Sequence, residues 1–108
     1  MVKIALICEH GASTGLCVQK MRTAAEEMGI EAEIGAYSFT IMDSLAKEMD
    51  ALLLGPQLSF RLDKFKANYP DAVHKMSVIS PMDFGMMDGA KILKDALKLI
   101  DQNSVATG

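Results

Sequence analysis

One cysteine in the sequence ends an apolar stretch and is followed at once by small and hydroxylated residues. Residues 3–8 are almost continuously apolar up to Cys8, and a helical pattern begins near Ser13. Backbone N–H groups at a helix start, together with the hydroxyls of Ser13 and Thr14, form a good anion-binding site. The positive end of a helix also favours the thiolate, which is the nucleophilic form of cysteine. The segment therefore predicts an anion-binding loop with Cys8 as a nucleophile, although the charge of Glu9 opposes this activation.

Three known phosphate-binding patterns do not fit this loop. The P-loop NTPase pattern G-x-x-x-x-G-K-[ST] fails because Gly11 and Gly15 are four positions apart and no Lys follows. The dinucleotide pattern G-x-G-x-x-G fails because a third glycine is missing. The phosphatase pattern C-x5-R would need Arg where this chain has Thr14. Gly11 and Gly15 are instead predicted to adopt backbone conformations that other residues avoid, so that loop amides point inward.

The rest of the chain predicts the scaffold that positions this loop. Short apolar runs alternate with helical patterns, which is typical of an α/β protein with a parallel sheet and helices on both of its faces. Central strands 1 and 3, edge strands 2 and 4 and right-handed crossovers predict an open four-stranded sheet of order 2-1-3-4, with the cysteine loop after strand 1. Gly55-Pro56-Gln57 would face Cys8 across the point where the chain reverses. We predict strands at 3–8, 30–36, 51–54 and 75–79, and helices at 13–28, at about 59–68 and from Asp88-Gly89 onward.

Composition and charge limit the class of protein. The 108 residues, 50% hydrophobic and 23% charged, predict a single domain over 1–102 and a disordered tail over 103–108. A net charge of −3 argues against nucleic acid as a partner. Two cysteines suffice neither for a disulfide framework nor, at this spacing, for a zinc site, so we predict no metal and no cofactor. No stretch approaches the roughly 20 apolar residues of a membrane span, which predicts a cytoplasmic protein without membrane insertion.

Several segments together resemble one family. The motif C-x-x-G-x-[ST]-[ST] is matched from Cys8 to Thr14, and Leu53-Leu54-Gly55-Pro56-Gln57 follows about 45 residues later. With Lys20-Met21, Asp88-Gly89 and the closing amphipathic helix, the chain resembles the enzyme IIB subunits of the phosphoenolpyruvate-dependent sugar phosphotransferase system, in the lactose/cellobiose (chitobiose) branch. It departs from them at Glu9 and His10, where relatives tend to carry small or apolar residues, and at Gly15, which replaces a frequent Ser.

The resemblance implies a phosphocarrier subunit. Cys8 would accept a phosphoryl group from a phosphohistidine on a IIA partner and pass it to a sugar held by the membrane subunit IIC. The resemblance thus implies a phosphohistidine–sugar phosphotransferase that would work through a phosphocysteine intermediate, without a metal, and would associate with the membrane through IIC. The implied phosphate-binding residues are Glu9, His10, Gly11, Ala12, Ser13, Thr14 and Gly15.

Two other functions remain open from the sequence. A thiol redox enzyme of the arsenate-reductase type would need a resolving thiol, whereas Cys17 falls in the apolar stripe of the first helix. A regulatory relative that has lost phosphoryl transfer would not need an intact loop, whereas this chain keeps Cys8, Gly11, Ser13 and Thr14. The sequence assigns neither the sugar nor the oligomeric state, and it leaves open whether Glu9 and His10 tune transfer. The cluster formed by Met82, Met86 and Met87 is either core or a docking surface for IIA.

Overall fold

The fold is built on a four-stranded parallel sheet. The computed structural model describes residues 1–9 and 12–107, with side chains except at 12, 13 and 103–107. The strand order is β2-β1-β3-β4, which confirms the predicted order 2-1-3-4. β1 pairs with β2 along its whole length, from Val2 opposite Ala32 to Cys8 opposite Ser38. The strands are β1 (Val2–Cys8), β2 (Ala32–Ser38), β3 (Ala51–Leu54) and β4 (Met76–Val78).

Helices connect the strands, and some of them were not predicted. α2 has seven residues with only Met42 and Leu45 buried, and α4 has five, so neither gives a readable helical period. The predicted helix at 59–68 is a 3-10 segment, Pro56–Arg61, followed directly by α3. The α-helices are α1 (Ala12–Glu27), α2 (Met42–Glu48), α3 (Leu62–Asn68), α4 (Pro81–Gly85) and α5 (Gly89–Thr107), and further 3-10 segments span Phe39–Ile41 and Pro70–Lys75.

The last helix differs from its prediction at its end. α5 continues through Thr107, whereas the sequence predicted a disordered tail over 103–108. The stretch up to Thr107 contains neither Gly nor Pro, so its backbone chemistry does not end the helix. At its start, the Asp88 carboxylate accepts a hydrogen bond of 3.2 Å from the Lys91 backbone N–H, which confirms the predicted cap. The domain boundary at residue 102 stays a prediction.

The sheet buries an apolar core on each face, as the prediction of helices on both faces requires. Alternate residues of the strands point to opposite faces. Ile4 and Leu6 pack with α1 and α5, while Ala5 and Ile7 pack with α2 and α3. In α1 the predicted stripe is buried at Cys17, Met21 and Ala24, whereas Met28 follows the end of the helix and is exposed.

The contact between α1 and α5 depends on one glycine, which gives a test of the packing. A Cβ built on Gly89 would lie 2.5 Å from the Lys20 carbonyl carbon and 2.6 Å from the Met21 backbone nitrogen. Backbone atoms of a helix cannot move aside at low cost, so we expect Gly89→Ala to lower the free energy of unfolding by about 1–3 kcal/mol. Urea denaturation measures this difference. Gly85→Ala is the control, since no heavy atom lies within 4 Å of its added Cβ; an equal loss in both variants would contradict the close approach.

Candidate functional site

Cys8 lies where the carboxyl ends of three strands meet. Its side chain is 2% exposed at the end of β1. Ser38, at the end of β2, is its strand partner on one side. On the other side the Gly55 backbone N–H, just after β3, donates a 2.9 Å hydrogen bond to the Ile7 carbonyl. These pairings fix the backbone of the thiol from both sides, as expected for a residue at the switch point of an open α/β sheet.

The N-terminus of α1 follows the thiol closely. α1 begins at Ala12, four positions after Cys8, and its first turn contains no acidic residue. The free N–H groups and the dipole of a helix of 16 residues therefore place about half a positive charge next to the strand end. Glu9 is exposed. His10 and Gly11, both predicted loop residues, lie outside the described residues, and the side chains of Ala12 and Ser13 are not described.

Thr14 carries an unusual buried hydroxyl. The residue is 0% exposed, and its Oγ1 has no hydrogen-bond partner among the described residues. An unpaired buried hydroxyl costs about 1–3 kcal/mol, and an anion held at the start of α1 is a group that would satisfy it. This is the position that the C-x5-R pattern assigns to Arg.

Gly15 does not have the backbone conformation that the sequence predicted. It lies inside α1, outside the positive-φ region, and an added Cβ would meet nothing within 4 Å. The helix reaches back to Ala12, so Gly15 belongs to its first turn rather than to a loop with inward-pointing amides. Its role in phosphate binding stays a prediction, and the conformational reason for that role is wrong.

Gln57 lies close to the strand ends. A Cβ built on Gly55 would be 2.9 Å from Gln57 Oε1, so the carboxamide folds back over the backbone that pairs with Ile7. The sequence predicted that Gly55-Pro56-Gln57 faces the end of strand 1, and the structure confirms this placement.

Cys17 is a core thiol. It is free and fully buried between α1 and the sheet. Burial raises its pKa above the ordinary value of 9.0, because the apolar surroundings disfavour the thiolate. A resolving cysteine needs the thiolate and access to its partner, and Cys17 has unfavourable surroundings for both.

Exposed apolar side chains occur in the segments that follow each of the four strands. In the part of the chain that the structure describes, seven large apolar side chains are exposed, and five of them follow the carboxyl ends of the strands. We call these five the apolar rim. The rim consists of Leu16 in α1, Ile41 after β2, Phe60 after β3, and Met82 and Met86 after β4.

The methionine cluster divides between core and surface. Met82 and Met86 are 72% and 73% exposed. Phe84 and Met87 instead pack against the core between the sheet and α5. Met87 has a φ of 54°, which ends α4 and turns the chain into α5. The core alternative therefore holds for Met87, whereas Met82 and Met86 lie at the surface, and a docking role for these two stays a prediction.

Within residues 1–9 and 12–107, no group of three or more His, Cys, Asp or Glu side chains is arranged to hold a metal ion. None of the described helices combines the length and apolar character needed to cross a membrane.

The fold and the site place this chain in a class of α/β proteins. In this class a cysteine ends a central strand and a helix begins a few positions later. Over residues 3–95 the chain matches the family described as PTS system, Lactose/Cellobiose specific IIB subunit. The protein belongs to this family, which confirms the predicted resemblance. IIB components are the sugar-specific phosphotransferase components of this system and work with IIA and IIC partners.

Individual relatives agree with the family assignment. The chain is 38% identical to the oligo-β-mannoside-specific EIIB component of Bacillus subtilis, over 93% of this chain and 97% of the relative. It is 40% identical to the galactose-specific EIIB component of Lactococcus lactis, over 91% of this chain and 95% of the relative. The solution structure of a cellobiose-specific IIB component from Borrelia burgdorferi superposes with a TM-score of 0.80 at 28% identity, covering 94% of this chain and 93% of that one.

The unpartnered hydroxyl of Thr14 gives a test of the site in the absence of phosphate. Thr14→Val keeps the shape of the side chain and removes the hydroxyl, so the phosphate-free protein should be as stable as the natural sequence or more stable, by up to about 1–3 kcal/mol. Urea denaturation without added anions measures this difference. A clear loss of stability in this variant would mean that the hydroxyl has a partner in the resting protein.

The raised pKa of Cys17 makes stability depend on alkaline pH. The unfolded chain releases this proton near the ordinary value of 9.0 and the folded chain keeps it to higher pH. The contribution of Cys17 is therefore complete below pH 9 and is lost as the pH rises through the folded-state pKa. We expect the free energy of unfolding to fall more steeply above pH 9 in the natural sequence than in Cys17→Ala, as urea denaturation at a series of pH values will measure. Identical pH profiles would contradict this assignment.

Proposed function

We propose that this protein is a phosphocarrier in which Cys8 receives a phosphoryl group from a phosphohistidine on IIA and passes it to a sugar held by IIC. In the first step the P–N bond breaks as the P–S bond forms, and the histidine nitrogen keeps the electron pair. In the second step the P–S bond breaks as a sugar oxygen bonds to phosphorus, the Cys8 sulfur keeps the electron pair as a thiolate, and the proton of the sugar hydroxyl passes to water. The observation that carries the proposal is the position of Cys8 next to the start of α1, with the unpartnered Thr14 hydroxyl in the first turn.

The chemistry of these residues suits transfer without a metal. Phosphoryl transfer needs in-line placement of donor and acceptor and stabilisation of the charge on the phosphoryl oxygens. Preorganised backbone N–H groups and a hydroxyl supply this stabilisation at a helix start. We propose that the phosphate-binding residues are Glu9, His10, Gly11, Ala12, Ser13, Thr14 and Gly15, as the family resemblance implies.

The absence of an arginine from this loop favours a carrier over a phosphatase. A guanidinium binds phosphate through strong, charge-assisted hydrogen bonds and would retain the group. Neutral amides and hydroxyls bind it more weakly, so that it stays available to the next acceptor. At the C-x5-R position the chain has the buried Thr14 instead, whose hydroxyl is neutral.

The apolar rim supports the proposed protein partners. Both IIA and IIC must bring a reactive group to the same sulfur atom, so each must cover the side chains around it. Flexible methionines such as Met82 and Met86 adapt to more than one partner surface. We therefore propose that IIA and IIC use the rim in turn, which places this chain at the cytoplasmic side of the membrane through IIC.

Sugar specificity is proposed only at the level of class. The relatives' names include oligo-β-mannoside, galactose and cellobiose. Since the sugar is held by IIC in this scheme, the transported molecule is a saccharide whose identity depends on that subunit.

The redox alternative has less support. It requires a reactive second thiol, and Cys17 is buried and has a raised pKa. A regulatory relative without transfer activity would not need to keep Cys8 and the residues that follow it.

Mass spectrometry of the intact protein tests the proposal. After incubation with phosphoenolpyruvate and the phosphorylated carrier proteins, we expect one phosphoryl group on the natural sequence and none on Cys8→Ser, because only the thiolate is a sufficient nucleophile. Cys17→Ala is the matched control and should still accept the group. Phosphorylation that persists in folded Cys8→Ser, or that is lost in folded Cys17→Ala, would overturn the proposed role of Cys8.

A further inference from the structure

Besides the N-terminus of α1, the positively charged side chain of Arg61 lies after the carboxyl ends of the strands. Arg61 ends the 3-10 segment that follows β3. Its guanidinium carbon lies 4.7 Å from the centre of the Phe39 ring and 5.3 Å from the centre of the Phe60 ring. Phe39 directly follows Ser38, the strand partner of Cys8. Phe60 belongs to the apolar rim and is 74% exposed. A cation is therefore held between two aromatic rings where the rim begins.

Arg61 has hydrogen-bonding capacity that this part of the protein does not use. Its Nε is buried and has no hydrogen-bond partner among the described residues. Within the same residues the ion pairs involve Lys91 and not Arg61. A guanidinium has five N–H donors, and contact with aromatic faces satisfies none of them. An unpaired donor of this kind is a group that a docking acceptor would complete.

The position of Arg61 distinguishes it from the group that is transferred. Phe39 packs in the core on the α2 and α3 side of the sheet. Cys8 continues the alternation of Ile4 and Leu6 and so faces the α1 side. Phe39, which contacts the guanidinium, and Cys8 thus belong to opposite faces of the sheet. This arrangement favours an acceptor on a docked protein over the phosphoryl group.

We propose that Arg61 binds a carboxylate of the IIA donor when that protein covers the apolar rim, an inference that rests on the proposed function. Since Nε is buried in the unbound chain, the proposal requires the exposed Phe60 ring to move aside when the donor docks. A carboxylate can then accept two parallel hydrogen bonds, and arginine is the side chain best suited to such a contact. An arginine with aromatic neighbours is also the composition found at the energetic centres of protein interfaces.

Charge complementarity assigns this contact to IIA rather than to IIC. Cytoplasmic loops of membrane proteins carry an excess of Lys and Arg. A cation on this chain therefore complements such loops poorly, so the carboxylate in this proposal belongs to the donor. The contact acts on docking, so it should change the KM for phosphorylated IIA and leave kcat unchanged.

Rapid-quench kinetics with the full chain and phosphorylated IIA test this inference. We expect Arg61→Gln to raise the KM for IIA about tenfold with kcat unchanged, since a hydrogen bond to a charged group is worth at least this factor. The KM of the natural sequence should also rise with ionic strength, and Arg61→Gln should lose most of this dependence. Arg61→Lys keeps the charge without the planar fork, so we expect an intermediate KM. Lys66→Gln removes an exposed charge from the neighbouring helix and is the matched control.

Each outcome supports or overturns the inference. An unchanged KM in Arg61→Gln overturns it, and so does an equal rise of the KM in Lys66→Gln. It is also overturned if Arg61→Gln has a normal KM for IIA but, once phosphorylated, transfers its phosphoryl group to IIC membranes more slowly. If Arg61→Gln does not fold, an unchanged KM in Arg61→Lys overturns the fork geometry on which the inference depends. If the natural sequence accepts no phosphoryl group from IIA, the proposed function fails. If the natural sequence is phosphorylated normally and Arg61→Gln has an unchanged KM, only the role of Arg61 is overturned.

Discussion

The pairing of β1 on both of its edges is the constraint on which the site depends. Ile4, Ala5, Leu6 and Ile7 are fully buried, and β1 is hydrogen-bonded to β2 and to β3. Side chains alternate along a strand, so a slip of one residue would move Cys8 to the opposite face, away from α1. Both cores oppose such a slip, because it would exchange the side chains that they bury. The position of the thiol is therefore determined by the packing of the whole sheet rather than by the loop that follows it.

The sheet also separates two kinds of charge at one edge. On the α1 side, the positive end of a helix lies next to the thiol, where the proposed chemistry needs stabilisation of phosphoryl oxygens. On the α2 and α3 side, Arg61 is held by Phe39 and Phe60. The first charge is a set of neutral dipoles that no side-chain rotation can remove. The second is a full charge on a side chain beside an exposed ring, which suits recognition of another protein.

The sequence predicted the sheet well because buried parallel strands are continuous apolar runs and right-handed crossovers restrict their order. It did not predict α2 or α4, since helices of seven and five residues show too few turns to give a period. Gly15 was assigned a loop conformation although the predicted helix over 13–28 already contained it, because it was grouped with Gly11 as a loop glycine; α1 begins at Ala12 and includes it. Met87 could not be distinguished from Met86 in the sequence, because a single positive φ at the turn decides which of them reaches the core. Arg61 belongs to no sequence motif. Of the two rings that contact it, only Phe60 is adjacent in the sequence, and the contact with Phe39 depends on the fold.

Weak retention of phosphate is a property that a carrier requires and that this architecture favours. A guanidinium inside the loop would stabilise bound phosphate before and after transfer alike, and uniform stabilisation of this kind does not accelerate the chemical step. Thr14 is buried where such a side chain would have to stand. The site therefore relies on dipoles fixed by the fold, whose effect is largest where charge develops during transfer. In the proposed scheme the full positive charge at Arg61 acts one step earlier, on the encounter with the donor, where a favourable interaction does not hold back the phosphoryl group that must leave.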